Sequence, residues 1–299
     1  MEKPRWILVA GILFFVLFAV SLQDVKGQDK PTILVGSKGF TEQIILGNMV
    51  ALLMESNGFK VDRKIGLGGT VICHEAIVRG DINVYVEYTG TGLTAILKKA
   101  VVKDPEEVYQ IVKKDYEEKF KLTWLKPWGF NNTYCIVMRR EDAERLKVKK
   151  VSDLKPLARD LIFGGTIEFL ARPDGVPGLT KHYGLKFKDQ KGMDPGLVYK
   201  AIAEKQVDVI SGFATDGRIP AFNLAVLEDD LKFFPPYFAA PVVRMDLLAR
   251  APQGADILNR LAGKISDVAM ATLNYTVDGK KVEAGAVARD YLKSQGLIK

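Results

Sequence analysis

The chain has 299 residues and a formal net charge of +7, with 47% hydrophobic and 26% charged residues. These proportions are those of an ordinary globular protein of about two domains, and they exclude collagen-like, disordered and multi-span membrane proteins. The basic residues lie in mixed clusters such as KKDYEEKFK, typical of a solvated surface. Because nucleic-acid binding needs concentrated basic residues with interleaved aromatics, we expect no nucleic-acid partner.

The N-terminus has the layout of a secretory signal peptide, residues 1–27. The charged segment MEKPR precedes an uncharged apolar run from Trp6 to Leu22, and a polar stretch follows. Val25 and Gly27 are suitable residues at −3 and −1 of a cleavage site after Gly27. The apolar run also reaches the short edge of the length of a transmembrane helix, so an uncleaved anchor stays open. Either way, we expect the body of the protein to be exported to the periplasm.

From Thr32 onward, strand and helix patterns alternate. TILVG, KVDRKIG and INVYVEY predict strands, with helical patterns between them, and the second half repeats the order from LIFGG to VDVISGF. Alternation of this kind predicts an α/β protein with parallel sheets covered by helices. The sequence therefore predicts two similar α/β lobes.

An internal repeat supports the two lobes. Residues 76–90 align with residues 201–215 at an offset of 125, which pairs Tyr88 with Phe213. Because ligands of open α/β sheets bind outside the carboxyl ends of the strands, we expect these two rings on opposite walls of one cleft. The TGTG that follows Tyr88, or the GLGGT before a helix, could instead hold a phosphate, but neither has a full phosphate-binding fingerprint.

Two segments are predicted to cross between the lobes. The first, TWLKPWGFNNTYCIVMRR, is punctuated by Pro127 and Gly129, and the second, FFPPYFAAPVVR, contains two adjacent prolines. Two crossings predict a hinged, two-lobed binding protein of the venus-flytrap type. We place residues 31–131 and 236–299 in the first lobe, and residues 132–235 in the second.

Few sequence motifs indicate catalysis or metal binding. The chain contains no GxSxG, HExxH or Walker A sequence and only two histidines, so we expect no cofactor and no metal site. Cys73 and Cys135 lie in apolar neighbourhoods, which predicts buried thiols, although a single bridge between them stays open.

Aromatic residues gather where a two-lobe cleft would be lined. Four of them fall at predicted strand ends or crossings: Tyr88, Tyr134, Phe213 and Tyr237. Ring faces attract a cation that cannot donate hydrogen bonds. Lys38 and Arg172, in loops near the predicted cleft, add positive charge. Rings together with cationic side chains favour a ligand that carries both a positive and a negative charge, such as a quaternary ammonium compound with a carboxylate.

The motifs VGSKGFTEQIILG, VEYTGTG, GFNNTY, LARPDGVPGL, FATDGRI and FFPPY together carry a family resemblance. Over about residues 31–298 the chain resembles the periplasmic substrate-binding proteins of glycine betaine/choline-type ABC importers. The resemblance implies the two-lobed periplasmic-binding fold. It also implies a box of four tyrosines around a trimethylammonium group, with a lysine and an arginine on the carboxylate.

Matched by motif, three tyrosines of this chain fall on box positions: Tyr88, Tyr134 and Tyr237. The resemblance assigns Lys38 and Arg172 to the carboxylate and Thr91 to a nearby polar position. The fourth box position departs from the expected tyrosine, because it is Phe213, which keeps a ring face and loses the hydroxyl.

The sequence thus predicts a non-catalytic, exported, monomeric protein that binds glycine betaine or a related quaternary amine and delivers it to a membrane permease. Two alternatives stay open. One is a protein of the same fold that binds another solute, such as an amino acid; the other is an anchored sensor domain or an enzyme.

Overall fold

The computed structural model describes residues 30–299, so the predicted signal peptide and its cleavage site lie outside the described residues. Within this range the strands are β1 (Ile33–Lys38), β2 (Val61–Gly68), β3 (Val84–Tyr88), β4 (Leu122–Trp124), β5 (Tyr134–Arg139), β6 (Ile162–Thr166), β7 (Asp189–Met193), β8 (Val209–Phe213), β9 (Leu224–Leu227) and β10 (Ala239–Arg244).

The longer helices of the described range are α1 (Thr41–Ser56), α2 (Thr70–Arg79), α4 (Pro105–Phe120), α7 (Val176–Tyr183), α8 (Pro195–Ala203), α12 (Asp267–Asp278) and α13 (Ala284–Ser294). The shorter ones are α3 (Thr89–Thr91), α5 (Arg140–Leu146), α6 (Ile167–Ala171), α9 (Arg218–Ala221), α10 (Met245–Arg250) and α11 (Gln253–Asn259). Across residues 30–299, no helix has the length and apolar character needed to cross a membrane.

The strands form two five-stranded sheets, in the orders β2-β1-β3-β10-β4 and β7-β6-β8-β5-β9. The prediction of parallel strands is right for β1 with β2 and β3, and for β6 with β7 and β8. It is wrong for the whole sheets, because β10 and β5 run antiparallel to both of their neighbours. Each of these strands follows a crossing from the other sheet, so no crossover helix within its own sheet sets its direction.

The chain passes between the sheets twice. It leaves the first sheet after β4 and enters the second at β5, then leaves after β9 and returns at β10. The crossing segments contact each other, since Asn131 and Phe238 form a β-bridge. The predicted lobe boundaries, 131/132 and 235/236, fall within these segments and stay a prediction.

Apolar side chains cover both faces of each sheet. The largest cluster contains residues from both sheets, whereas two smaller clusters lie on the far faces of the first and second sheets. Cys73 belongs to one small cluster and Cys135 to the other, and both are free thiols. The prediction of buried thiols is confirmed, and burial raises the pKa of each to about 12.

The internal repeat corresponds to two helix–strand units. Helix α2 leads to β3, which ends at Tyr88, and α8 leads to β8, which ends at Phe213. The offset of 125 therefore pairs equivalent strand ends of the two sheets, as the sequence predicts.

Gly129 in the first crossing has a backbone that only glycine adopts easily. Its φ is +120°, and an added Cβ would lie 2.8 Å from the Ile265 carbonyl oxygen and 2.9 Å from the Gly263 carbonyl carbon.

We expect Gly129→Ala to lower the free energy of unfolding by about 1–3 kcal/mol, measured by denaturant titration. The control is Gly196→Ala, at an exposed site in α8 with no atom within 4 Å of the added Cβ. An equal loss in both variants would contradict a role for strain at Gly129.

Candidate ligand-binding site

A cavity of about 380 Å³ lies between the two sheets. Its size is within the roughly 300–1,000 Å³ typical of small-molecule sites. All seven residues that the sequence singled out contribute to its lining: Lys38, Tyr88, Thr91, Tyr134, Arg172, Phe213 and Tyr237. Their roles in binding stay predictions, but the fold brings them together on one surface.

Aromatic rings form a contiguous part of the wall. The ring centroid of Tyr134 lies 5.2 Å from that of Phe213 and 5.4 Å from that of Tyr237, whose plane is perpendicular to it. Tyr134 begins β5, Phe213 ends β8 and Tyr237 lies two residues before β10, so backbone at the strand ends of both sheets positions the rings.

The sequence analysis missed a fifth ring, Phe40, which precedes α1 and also lines the cavity. Its centroid lies 5.5 Å from that of Phe213 with the planes only 5° apart, and 6.4 Å from that of Tyr88. The signal that could have found it is its place in SKGF, two residues after Lys38.

A buried carboxylate, Glu42, holds the hydroxyl of Tyr88. The hydroxyl donates to Glu42 Oε1 at 2.7 Å, and three more groups donate to the same carboxylate: Asn132 Nδ2, Thr215 Oγ1 and Asn274 Nδ2. Burial raises the pKa of Glu42, although these four hydrogen bonds lower it. Because Thr215 follows β8 and Glu42 lies in α1, the carboxylate joins the two halves of the site.

A second buried carboxylate, Asp174, holds the hydroxyl of Tyr237. It accepts a hydrogen bond from that hydroxyl at 2.6 Å and from Thr94 Oγ1 at 2.7 Å. Arg172 donates to it through Nε and Nη2, at 2.8 and 2.6 Å. Burial acts to raise the pKa of Asp174, but the hydrogen bonds and the charge of Arg172 outweigh it and hold the pKa below its usual range.

Both cationic side chains of the predicted site are already paired within the protein. Lys38 Nζ donates to Glu87 Oε1 at 2.6 Å and to Thr70 Oγ1 at 2.9 Å, and it lies 5.2 Å from the Tyr88 ring centroid. Arg172, besides its bonds to Asp174, donates to Thr91 Oγ1 at 3.3 Å, and its Cζ lies 5.5 Å from the Tyr134 ring centroid. In the cavity wall, Lys38 is therefore neutralised by Glu87, and Arg172 by Asp174.

Glu168, in the first turn of α6, is a further wall residue that the sequence analysis missed. Its Oε1 accepts from Arg172 Nη1 at 3.1 Å, and its Oε2 lies 3.5 Å from the backbone N of Thr70, the first residue of α2. Burial acts to raise the pKa of Glu168, but the charges of Lys38 and Arg172 outweigh it and lower the pKa. The side chain is thus an ionised carboxylate on the wall.

Removal of one partner of the buried pair of Arg172 and Asp174 should destabilise the protein strongly. We expect Asp174→Asn to lower the free energy of unfolding by about 3–5 kcal/mol near neutral pH, because it removes the fully buried anion that pairs with the Arg172 guanidinium. The folded-state pKa of Asp174 lies below its ordinary value of 3.8. The wild-type advantage should therefore be complete above that value and be lost as the pH falls through the folded-state pKa.

The matched control is Asp246→Asn. Asp246 pairs with Arg244 at the same sequence spacing, but its side chain is 55% exposed. Since exposed pairs contribute only about 0–1 kcal/mol, urea titration should show a small loss for this variant. Equal losses for both variants would contradict a special role for the buried pair.

Comparison with known proteins gives a consistent result. A family described as the substrate-binding domain of ABC-type glycine betaine transport systems matches residues 31–294. The chain is 38% identical to the carnitine transport binding protein OpuCC of Listeria monocytogenes, over 97% of each chain. It is 35% identical to the ergothioneine transport permease/ergothioneine binding protein EgtU of Helicobacter pylori, over 99% of this chain and 54% of that protein.

A solved structure titled as a glycine betaine/carnitine/choline ABC transporter is 37% identical and superposes with a TM-score of 0.73, covering 89% of this chain and 100% of that one. The two sheets described above are thus the two lobes of the periplasmic binding-protein fold. The chain belongs to the family of substrate-binding domains of ABC-type glycine betaine transport systems.

Proposed function

We propose that this protein binds a quaternary ammonium compound in the cavity between its lobes and delivers it to the permease of an ABC importer. The observation that carries the proposal is the wall of five aromatic rings, to which both lobes contribute. A quaternary ammonium group has no N–H to donate, so ring faces, rather than hydrogen-bond acceptors, are the groups suited to recognise it.

The relatives support the same ligand class, because their names and titles specify carnitine, ergothioneine, glycine betaine and choline. We propose glycine betaine or a related quaternary amine for this chain. We also propose that the protein is exported and acts as a monomer, with its N-terminal segment serving as a signal peptide or as an anchor.

The carboxylate of a betaine would bind to Lys38 and Arg172. Lys38 Nζ can donate three hydrogen bonds and makes two among residues 30–299, to Glu87 and Thr70. Arg172 Nη1 carries two N–H groups and, within the described part of the chain, donates one bond, to Glu168. One donor on each side chain therefore remains for a ligand, while Thr91 accepts from Arg172 and supports its orientation.

Phe213 provides the first test of the aromatic wall. We expect Phe213→Ala to weaken glycine betaine binding by about 0.5–2 kcal/mol, because it removes a ring face. Phe213→Tyr should change the affinity by about 1 kcal/mol or less, the range of one neutral hydrogen bond. Calorimetry on protein unfolded and refolded to remove bound ligand measures both. The control is Phe222→Ala, at a ring that is 44% exposed outside the cavity lining. An alanine variant at position 213 that binds as tightly as the parent would remove Phe213 from the site.

Arg172 provides a test of the carboxylate position. We expect Arg172→Ala to weaken glycine betaine binding by about 1.5–3 kcal/mol, the scale of a hydrogen bond to a charged group. Choline has no carboxylate, so its binding should change much less. The comparison of the two ligands on the same variant controls for damage to the cavity, which would weaken both. Equal losses would contradict the assignment.

A further inference from the structure

Glu168 is a charged group in the cavity wall, next to Arg172, that binding of a betaine carboxylate does not explain. Its side chain is 35% exposed, and it contacts both lobes, through Arg172 Nη1 and through the backbone N of Thr70. This carboxylate is bonded to Arg172, one of the two cationic side chains that would receive the carboxylate of a ligand.

The charges of the side chains around Lys38 and Arg172 do not cancel. Lys38 is paired with Glu87, and Arg172 with Asp174, so these four side chains are neutral together. Glu168 adds a negative charge that no further cation offsets among these residues. Beside the position of a ligand carboxylate, Glu168 therefore offers an acceptor to a neutral O–H or N–H group of the ligand.

Glu168 can also accept more hydrogen bonds than the two contacts given above use. An ionised carboxylate offers about four lone-pair positions. Oε1 accepts one bond from Arg172, and Oε2 has one long contact of 3.5 Å with the Thr70 backbone N. Because the side chain lines the cavity, the remaining positions are available to a ligand whose trimethylammonium group lies against the rings.

We propose that Glu168 is a specificity-determining residue, which accepts a hydrogen bond from a hydroxyl group of the ligand. The site then prefers quaternary ammonium compounds that carry such a donor over those that carry none. This inference rests on the proposed function, since it requires that the rings bind the ammonium group. Glycine betaine has no O–H or N–H group, whereas choline and carnitine each have a hydroxyl.

The test uses two pairs of ligands that differ in the donor and not in charge. The first pair is choline and its O-methyl ether, and the second is carnitine and γ-butyrobetaine, which lacks the hydroxyl. Calorimetry on the refolded full chain should show that wild type binds the donor-bearing member of at least one pair about tenfold or more tightly, as expected for a hydrogen bond to a charged acceptor. Glu168→Ala should bring that ratio to about one, and Glu168→Gln should lower it about threefold or more, because a neutral amide oxygen is the weaker acceptor.

The matched control is Asp194→Asn, which removes a carboxylate from the rim of the same cavity and should leave the ratio unchanged. If wild type binds neither glycine betaine nor any of the four compounds, the proposed function fails. If it binds glycine betaine and none of the four, the inference is overturned and the proposed function stands. If they bind with ratios near one, or if Glu168→Ala leaves the ratio unchanged, the inference is overturned and the proposed function stands. A fall in the ratio equal to that caused by Asp194→Asn would also overturn it, since it would show an effect of net charge alone.

Discussion

The site depends on two buried carboxylates, Glu42 and Asp174. Each accepts the hydroxyl of a tyrosine in the aromatic wall, and each also binds a residue from the opposite lobe, Thr215 in one case and Thr94 in the other. Burying a carboxylate costs several kcal/mol unless donors surround it, and both are fully supplied with donors in this arrangement. The ring positions and the contact between the lobes are thus fixed by the same charged groups.

This arrangement determines what the cavity offers to a ligand. Lys38 and Arg172 are the cations nearest to the rings, but Glu87 and Asp174 neutralise them. A ligand cation therefore meets ring faces without strong repulsion from fixed positive charge. Exclusion of water between the lobes would strengthen both the cation–π attraction and any remaining hydrogen bonds, because electrostatic interactions grow as the local dielectric constant falls.

Much of this could be predicted from the sequence. The repeat and the rule for carboxyl ends of strands placed Tyr88 and Phe213 in one cavity, and the strand and helix patterns gave the main α/β units. The antiparallel strands β5 and β10 could not be predicted, because their direction follows from the crossings rather than from local pattern. Glu42 was missed because its partners are distant in the chain; Glu42 and Asn274, for example, are 232 positions apart. Glu168 lies only four positions from Arg172, but its contact with the Thr70 backbone spans 98 positions. Contacts between residues so far apart leave no local pattern in the sequence from which they could be predicted.

The central claim is that ring faces recognise a cationic ammonium group. The most direct measurement compares choline with 3,3-dimethyl-1-butanol, a neutral analogue of the same shape in which carbon replaces the ammonium nitrogen. Calorimetry on the refolded protein should show that the neutral analogue binds about tenfold or more weakly, since each ring face adds about 0.5–2 kcal/mol of attraction for the cation. Equal affinity of the two compounds would show that the cavity recognises shape and apolar surface, and would contradict the account.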